Sequence, residues 1–91
     1  METIKSGENK FYIEESGEMA AIIEFVPGDN EKQIIVNHTF VSEDLRGEGL
    51  GEALIEKVAE FAREQNLKVV PECPFARTIM EEDQKYQDIL A

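Results

Sequence analysis

The sequence is poor in the residues that most often carry chemistry. It holds one cysteine, Cys73, and one histidine, His38. A lone cysteine excludes an internal disulfide and a cysteine-based zinc site, and no metal centre is expected. A Ser-His-Asp triad could use only His38 as its base. No run of about 18 apolar residues occurs, so nothing is expected to span a membrane. The N-terminus, METIKSGENKFY, lacks the apolar stretch of a signal peptide, which makes the cytoplasm the default location. Bases are scarce as well: nine Lys and Arg face 20 Asp and Glu, for a net charge of −11. A surface this negative repels nucleic acid and anionic lipid. It favours basic peptides, polyamines or amines, although an acidic balance also serves solubility alone.

What is present is patterned for one domain spanning residues 1–91, because a chain of 91 residues has little room for a second core. KFYIEESGEMAAIIEFVPGDNEKQIIVNHTFV reads as three short strands. Phe11 and Ile13 alternate in the first, and Ser16-Gly17 supplies a tight turn. The second, about 18–26, is apolar on both faces, and PGDNE is a loop. In the third, about 33–41, strict alternation places Ile34, Val36, His38 and Phe40 on one face and Ile35, Asn37, Thr39 and Val41 on the other. From Gly49 the period turns helical, with Leu50, Leu54, Val58, Phe61, Ala62 and Gln65 on the inner stripe. LKVV, 67–70, is a short buried strand, and strand–helix–strand implies a parallel pair with a right-handed crossover. Pro74 suits the first position of a second helix, with Phe75, Ile79 and Met80 inward. Tyr86, Ile89 and Leu90 pack down the tail. The expected order is β-β-β-α-β-α: an α+β fold with a mixed sheet, an antiparallel meander plus one parallel pair.

The segment LRGEGLG, 45–51, stands out. Gly47, Gly49 and Gly51 precede an amphipathic helix and follow an apolar strand, and Arg46 brings a positive charge. Helix N-termini expose free N–H groups and a partial positive charge, glycines let a ligand approach the backbone, and the arginine adds a cation. The pattern therefore fits a phosphate or pyrophosphate. It equally fits a turn whose glycines permit positive φ. A Walker loop is excluded because Gly-Lys-Ser/Thr is absent, and the spacing G-x-G-x-G does not match the dinucleotide fingerprint.

RGEGLG, Arg46–Gly51, resembles the R/Q-x-x-G-x-G/A acyl-CoA signature of the GNAT N-acyltransferase superfamily. Together with NHTFV (Asn37–Val41), VVPECPF (Val69–Phe75) and the tail KYQDIL (Lys85–Leu90), it is similar to a small single-domain GNAT-like branch over roughly residues 10–90. The resemblance implies a minimal GNAT-like fold that binds acetyl-CoA. Pyrophosphate binding would fall on Arg46, Gly47, Glu48, Gly49, Leu50 and Gly51. Pantetheine contacts would fall on Thr39, Phe40 and Val41, mostly through main chain. The N-terminal helices that help form the acceptor pocket in longer members are not matched, which implies an open acceptor side that a protein partner could complete.

Cys73 directly precedes Pro74 and should cap the second helix, where the positive helix end lowers a thiol pKa. The resemblance places it close to the thioester. Two roles follow: a nucleophile that takes the acyl group and passes it to an amine, or a proton donor to the departing coenzyme A thiolate. A small buried apolar residue is the bland alternative. His38 is a candidate general base by its ordinary pKa range, against a role as a satisfied core histidine. Glu24 and Glu72 are weaker base candidates. The expected function is acetyl-CoA-dependent N-acetylation of a small-molecule amine or basic peptide. A noncatalytic acyl-CoA-binding or protein-interaction module, and an acidic adaptor without ligand, are the alternatives.

Overall fold

The computed structural model describes residues 4–45, 47 and 49–91. Two tight turns build the first three strands, β1 (Lys5–Gly7), β2 (Lys10–Glu15) and β3 (Glu18–Pro27). At the second turn Ser16 has φ 53° and Gly17 φ 81°. Both are left-handed, as a two-residue hairpin loop between paired Glu15 and Glu18 requires. The loop carrying Pro27, Gly28, Asp29 and Asn30 leads into β4 (Gln33–Val41), and β1 to β4 form an antiparallel meander. A 3-10 turn (Glu43–Leu45) precedes α1 (Leu50–Gln65), which crosses over to β5 (Lys68–Pro71), parallel to β4. Then come α2 (Pro74–Glu82) and a 3-10 turn (Gln84–Tyr86). The expected α+β fold with its mixed sheet is present, in the spatial order β1-β2-β3-β4-β5. Edge strand β1 is an addition; its three exposed residues, KSG, carry no apolar alternation that could announce it.

One face of the sheet forms the core. Phe11, Ile13, Ala21, Ile23, Phe25, Val36 and Val69 are buried there together with Leu54, Ile55, Val58 and Ala62 of α1. Phe61 joins Phe11 and Phe25, with ring centroids 5.8 and 5.5 Å away, a geometry that adds to plain area burial. Ala76 and Met80 of α2, then Tyr86 and Ile89 of the tail, complete the same cluster. Two details of the helix stripes differ from expectation. Gln65 is exposed, whereas Ile55 and Ala59 are buried, because sheet, α2 and tail together cover a wider arc of α1 than a narrow stripe. Phe75 is 40% exposed instead of facing the core.

A β-bulge corrects the alternation read for β4. Pairing with β3 steps from Glu24↔His38 to Phe25↔Val36, so Asn37 has no residue opposite it. Past the bulge every side chain changes face. Thr39, in register with Ile23, and Val41, in register with Ala21, lie on the helix side. His38 and Phe40, in register with Glu24 and Ile22, lie on the other. His38 is accordingly exposed and is not a core histidine.

The C-terminal segment is tied down along its length. Val69 N–H donates to Ile89 O at 2.7 Å, and Ala91 N–H donates to Val69 O at 3.0 Å. Arg63 of α1 forks onto Asp88, with Nε and Nη2 each 3.0 Å from a carboxylate oxygen. Asn66, at φ 58°, ends α1 in the left-handed conformation.

Candidate functional site

The parallel ladder between β4 and β5 ends at Val36↔Pro71. The N–H groups of Glu72 and Cys73 both turn to Val36 O, at 3.0 and 3.1 Å. The chain then enters α2, so no strand flanks residues 38–41 on that side among the described residues. A groove of about 620 Å³ opens there. Thr39, Phe40 and Val41 border one side, Gly47, Gly49, Leu50, Gly51 and Glu52 the other, and Phe75 closes it from α2. Every described member of the expected cofactor set therefore lines a single cavity. Arg46 and Glu48, the other two residues expected at the pyrophosphate, lie outside the described residues. Glu52 and Phe75 were not singled out from sequence; the helical period could have placed Glu52 one turn-step beyond Gly51, but nothing local marks Phe75 as a wall.

The glycines at the helix start serve different ends. Gly47 and Gly49 have φ of 91° and 80°, and a Cβ on either would meet nothing within 4 Å. They satisfy a left-handed backbone and at the same time leave open space at the groove. Gly51 is helical, and a Cβ there would come within 2.5 Å of Phe75 Cζ. Its bareness lets the Phe75 ring lie against α1. Gly49 is the N-cap and offers no capping side chain, so the first-turn N–H groups of a 16-residue helix have no side-chain cap at the groove. The described residues fit a phosphate-bearing ligand on these grounds.

Cys73 is the N-cap of α2, with Pro74 at the first helical position, as expected. Its thiol is half-buried. Burial pushes the thiol pKa up. The polar groups of Thr39 and the N–H groups of Ala76 and Phe75 around the sulfur outweigh it, and the net result lies below the ordinary value. Cys73 is not part of the groove lining, but its neighbours Thr39 and Phe75 both are. His38 is brought to neither: it stands on the opposite sheet face across from half-buried Glu24. Glu72 is exposed beside Cys73. No cluster of metal-ligating side chains occurs among the described residues, and no helix there is long and apolar enough to cross a membrane.

A meander joined to one parallel pair, with a groove where that pair parts and a glycine-rich helix start beside it, is the framework of an acyltransferase domain. The family model for GCN5-related N-acetyl-transferase matches residues 10–89, and the chain belongs to this family. Among solved structures, a Staphylococcus aureus protein described as a GCN5-like candidate N-acetyltransferase is 40% identical. It superposes with a TM-score of 0.83 over 98% of this chain and 87% of that one. The ribosomal-protein-alanine N-acetyltransferase of Brucella melitensis biovar Abortus 2308 is 24% identical, with a TM-score of 0.62 over 80% of this chain and 58% of that one. N-acetylglutamate synthase from Neisseria gonorrhoeae, in complex with coenzyme A and N-acetyl-glutamate, shares the fold at 14% identity. Its TM-score is 0.66, over 81% of this chain and 18% of that one. A search of curated proteins gives no match.

Proposed function

We propose that this domain is an acetyl-CoA-dependent N-acetyltransferase acting on an amine. The observation that carries the reading is the single groove formed where β4 and β5 part, shared by the glycine-rich start of α1 and the 39–41 segment. The backbone at Gly47, Gly49, Leu50 and Gly51 would hold the pyrophosphate, with Arg46 as the expected cation, and Thr39, Phe40 and Val41 would flank the pantetheine. Acetyl-CoA supplies the acetyl group activated as a thioester. Cys73, with a thiol that gives up its proton more readily than usual, is the nucleophile we assign to the site. A net charge of −11 favours a cationic acceptor, either a small amine or a basic peptide. A protein partner would complete the acceptor side. The position of His38 away from the groove favours a second reading, a noncatalytic acyl-CoA-binding module, because it leaves that candidate base outside the site.

Titration calorimetry with acetyl-CoA tests the cofactor, and failure to bind at high concentration overturns both readings. Release of free coenzyme A, screened over amines and basic peptides, then separates enzyme from binding module. Intact mass after acetyl-CoA exposure should show one added acetyl in the wild type and none in Cys73→Ala.

A further inference from the structure

The start of α2 is held in place before its apolar stripe begins. The N–H groups of Glu72 and Cys73 are bonded to Val36 O, Arg77 N–H donates to Cys73 O at 2.9 Å, and Arg77 Nε donates to Pro71 O at 3.2 Å. Pro74 takes the first helical position. Ala76 and Met80, four residues apart, then supply the face that enters the core. Phe75 precedes Ala76 by one residue, about 100° around the helix, so its ring does not share that face. It borders the groove instead.

Four large apolar side chains are exposed among the described residues. Met19, Val26 and Phe40 stand on strands, and Phe75 alone stands on a helix. A lone exposed apolar residue needs no explanation, but this ring has a seat that only glycine allows. A Cβ at position 51 would lie 2.5 Å from Phe75 Cζ and 3.4 Å from Val41 Cγ2. The ring tip, the start of α1 and β4 therefore converge on one point. Holding glycine there forgoes helix propensity relative to alanine. Gly51 belongs to the set assigned to the pyrophosphate and Val41 to the set assigned to the pantetheine. In coenzyme A the group joined to the pyrophosphate is the pantoyl carbon chain with its two methyls, the most apolar part of the arm. An aromatic ring at the junction of the two sets matches that chemistry.

We propose that Phe75 is the helix-side wall of the pantetheine channel, its ring covering the dimethyl end of the arm and so fixing how far the thioester reaches. The proposal rests on reading the groove as an acetyl-CoA site.

The experiment is titration calorimetry of the wild type, Phe75→Ala, Phe75→Leu, Gly51→Ala and the Gly51→Ala, Phe75→Ala double variant, with thermal melts of each. Two probes are used: coenzyme A, and adenosine 3′-phosphate 5′-diphosphate, which keeps the nucleotide and pyrophosphate but has no pantetheine. The ring is 40% exposed, and covering that part of a phenylalanine corresponds to a Kd change of about five- to twentyfold. Phe75→Ala should weaken coenzyme A by that factor and leave the nucleotide unchanged. Phe75→Leu, which keeps apolar bulk, should recover most of the loss. Gly51→Ala displaces the ring without altering α2 and should also weaken coenzyme A selectively, but not in the Phe75→Ala background. Unchanged or tighter coenzyme A binding by Phe75→Ala overturns the proposal, and so does an equal loss with both probes. A Gly51→Ala effect that persists without the ring overturns it as well. Binding of neither probe to the wild type overturns the proposed function and this assignment with it, whereas the other three results strike the assignment alone.

Discussion

Replacing Gly51 by alanine tests whether the Phe75 ring rests on α1. The new Cβ would lie 2.5 Å from Phe75 Cζ, 2.7 Å from Cε2 and 3.4 Å from Val41 Cγ2. Non-bonded carbons settle at about 3.5–4.0 Å, so the ring must retreat by about 1 Å. Forcing a methyl into a packed contact costs about 1–3 kcal/mol. The lower end applies here, because the ring is 40% exposed and can swing outward. Alanine in a helix is worth about 0.8–1 kcal/mol over glycine, and Gly51 has no positive φ to lose. The two effects nearly cancel, and the melting temperature of Gly51→Ala should stay within a few degrees of the wild type. In a Phe75→Ala background the collision is gone and only the propensity gain remains. Gly51→Ala should then stabilise by about 1 kcal/mol, which is about 4–8 °C in a domain of this size. Thermal melts of the four proteins give the coupling directly. Equal shifts in both backgrounds would show that the ring does not occupy the space in front of Gly51, and the account of the groove wall would fail.

Gly49→Ala differs in kind: its φ of 80° with nothing within 4 Å makes the cost purely backbone strain, about 1–2 kcal/mol, and calorimetric melts should find it unchanged by Phe75→Ala. Leu54→Ala, at a fully buried position on α1, should cost about 2–5 kcal/mol, and a denaturant titration showing less than about 1 kcal/mol would contradict the packing described. Asp88 is held below its ordinary carboxyl pKa, chiefly by the Arg63 hydrogen bond. A depressed carboxylate contributes stability that is present above its unfolded pKa and is lost as pH falls through the folded one. The difference in melting temperature between wild type and Asp88→Asn should therefore be small at neutral pH, where solvent screens the pair, and vanish in acid; a gap that persists at low pH would contradict this.

The elements were legible because their signals are local. Ser16-Gly17, the helical period from Leu50 and the Cys73-Pro74 start of α2 each specify a backbone conformation from a few neighbouring residues. The glycine turn and the 39–41 segment were legible as one site only through the resemblance, since residues far apart in sequence meet there. The face of each residue in β4 was not legible. A bulge depends on how a strand is paired, and neither Asn37 nor its neighbours mark one in sequence; two apolar residues, Phe40 and Val41, follow it and read equally well in either phase. Phe75 misled for a related reason, because whether a helix's first turn faces core or groove depends on the helix packed beside it. β1 is too short to carry a pattern.

The way residues 86–91 are fastened also constrains the order in which this protein can acquire its structure. Tyr86 and Ile89 fill the core, and the main chain at Ile89 and Ala91 is bonded to Val69. During synthesis the meander and α1 leave the ribosome first, with the space for Tyr86 and Ile89 still empty and the Val69 groups that will bond the tail exposed to water. The sheet can pair early, yet the core closes only when the 86–91 segment is free to dock. Until then a nascent chain carries an unfinished apolar surface, and its commitment to the native state waits on residues 86–91 leaving the ribosome.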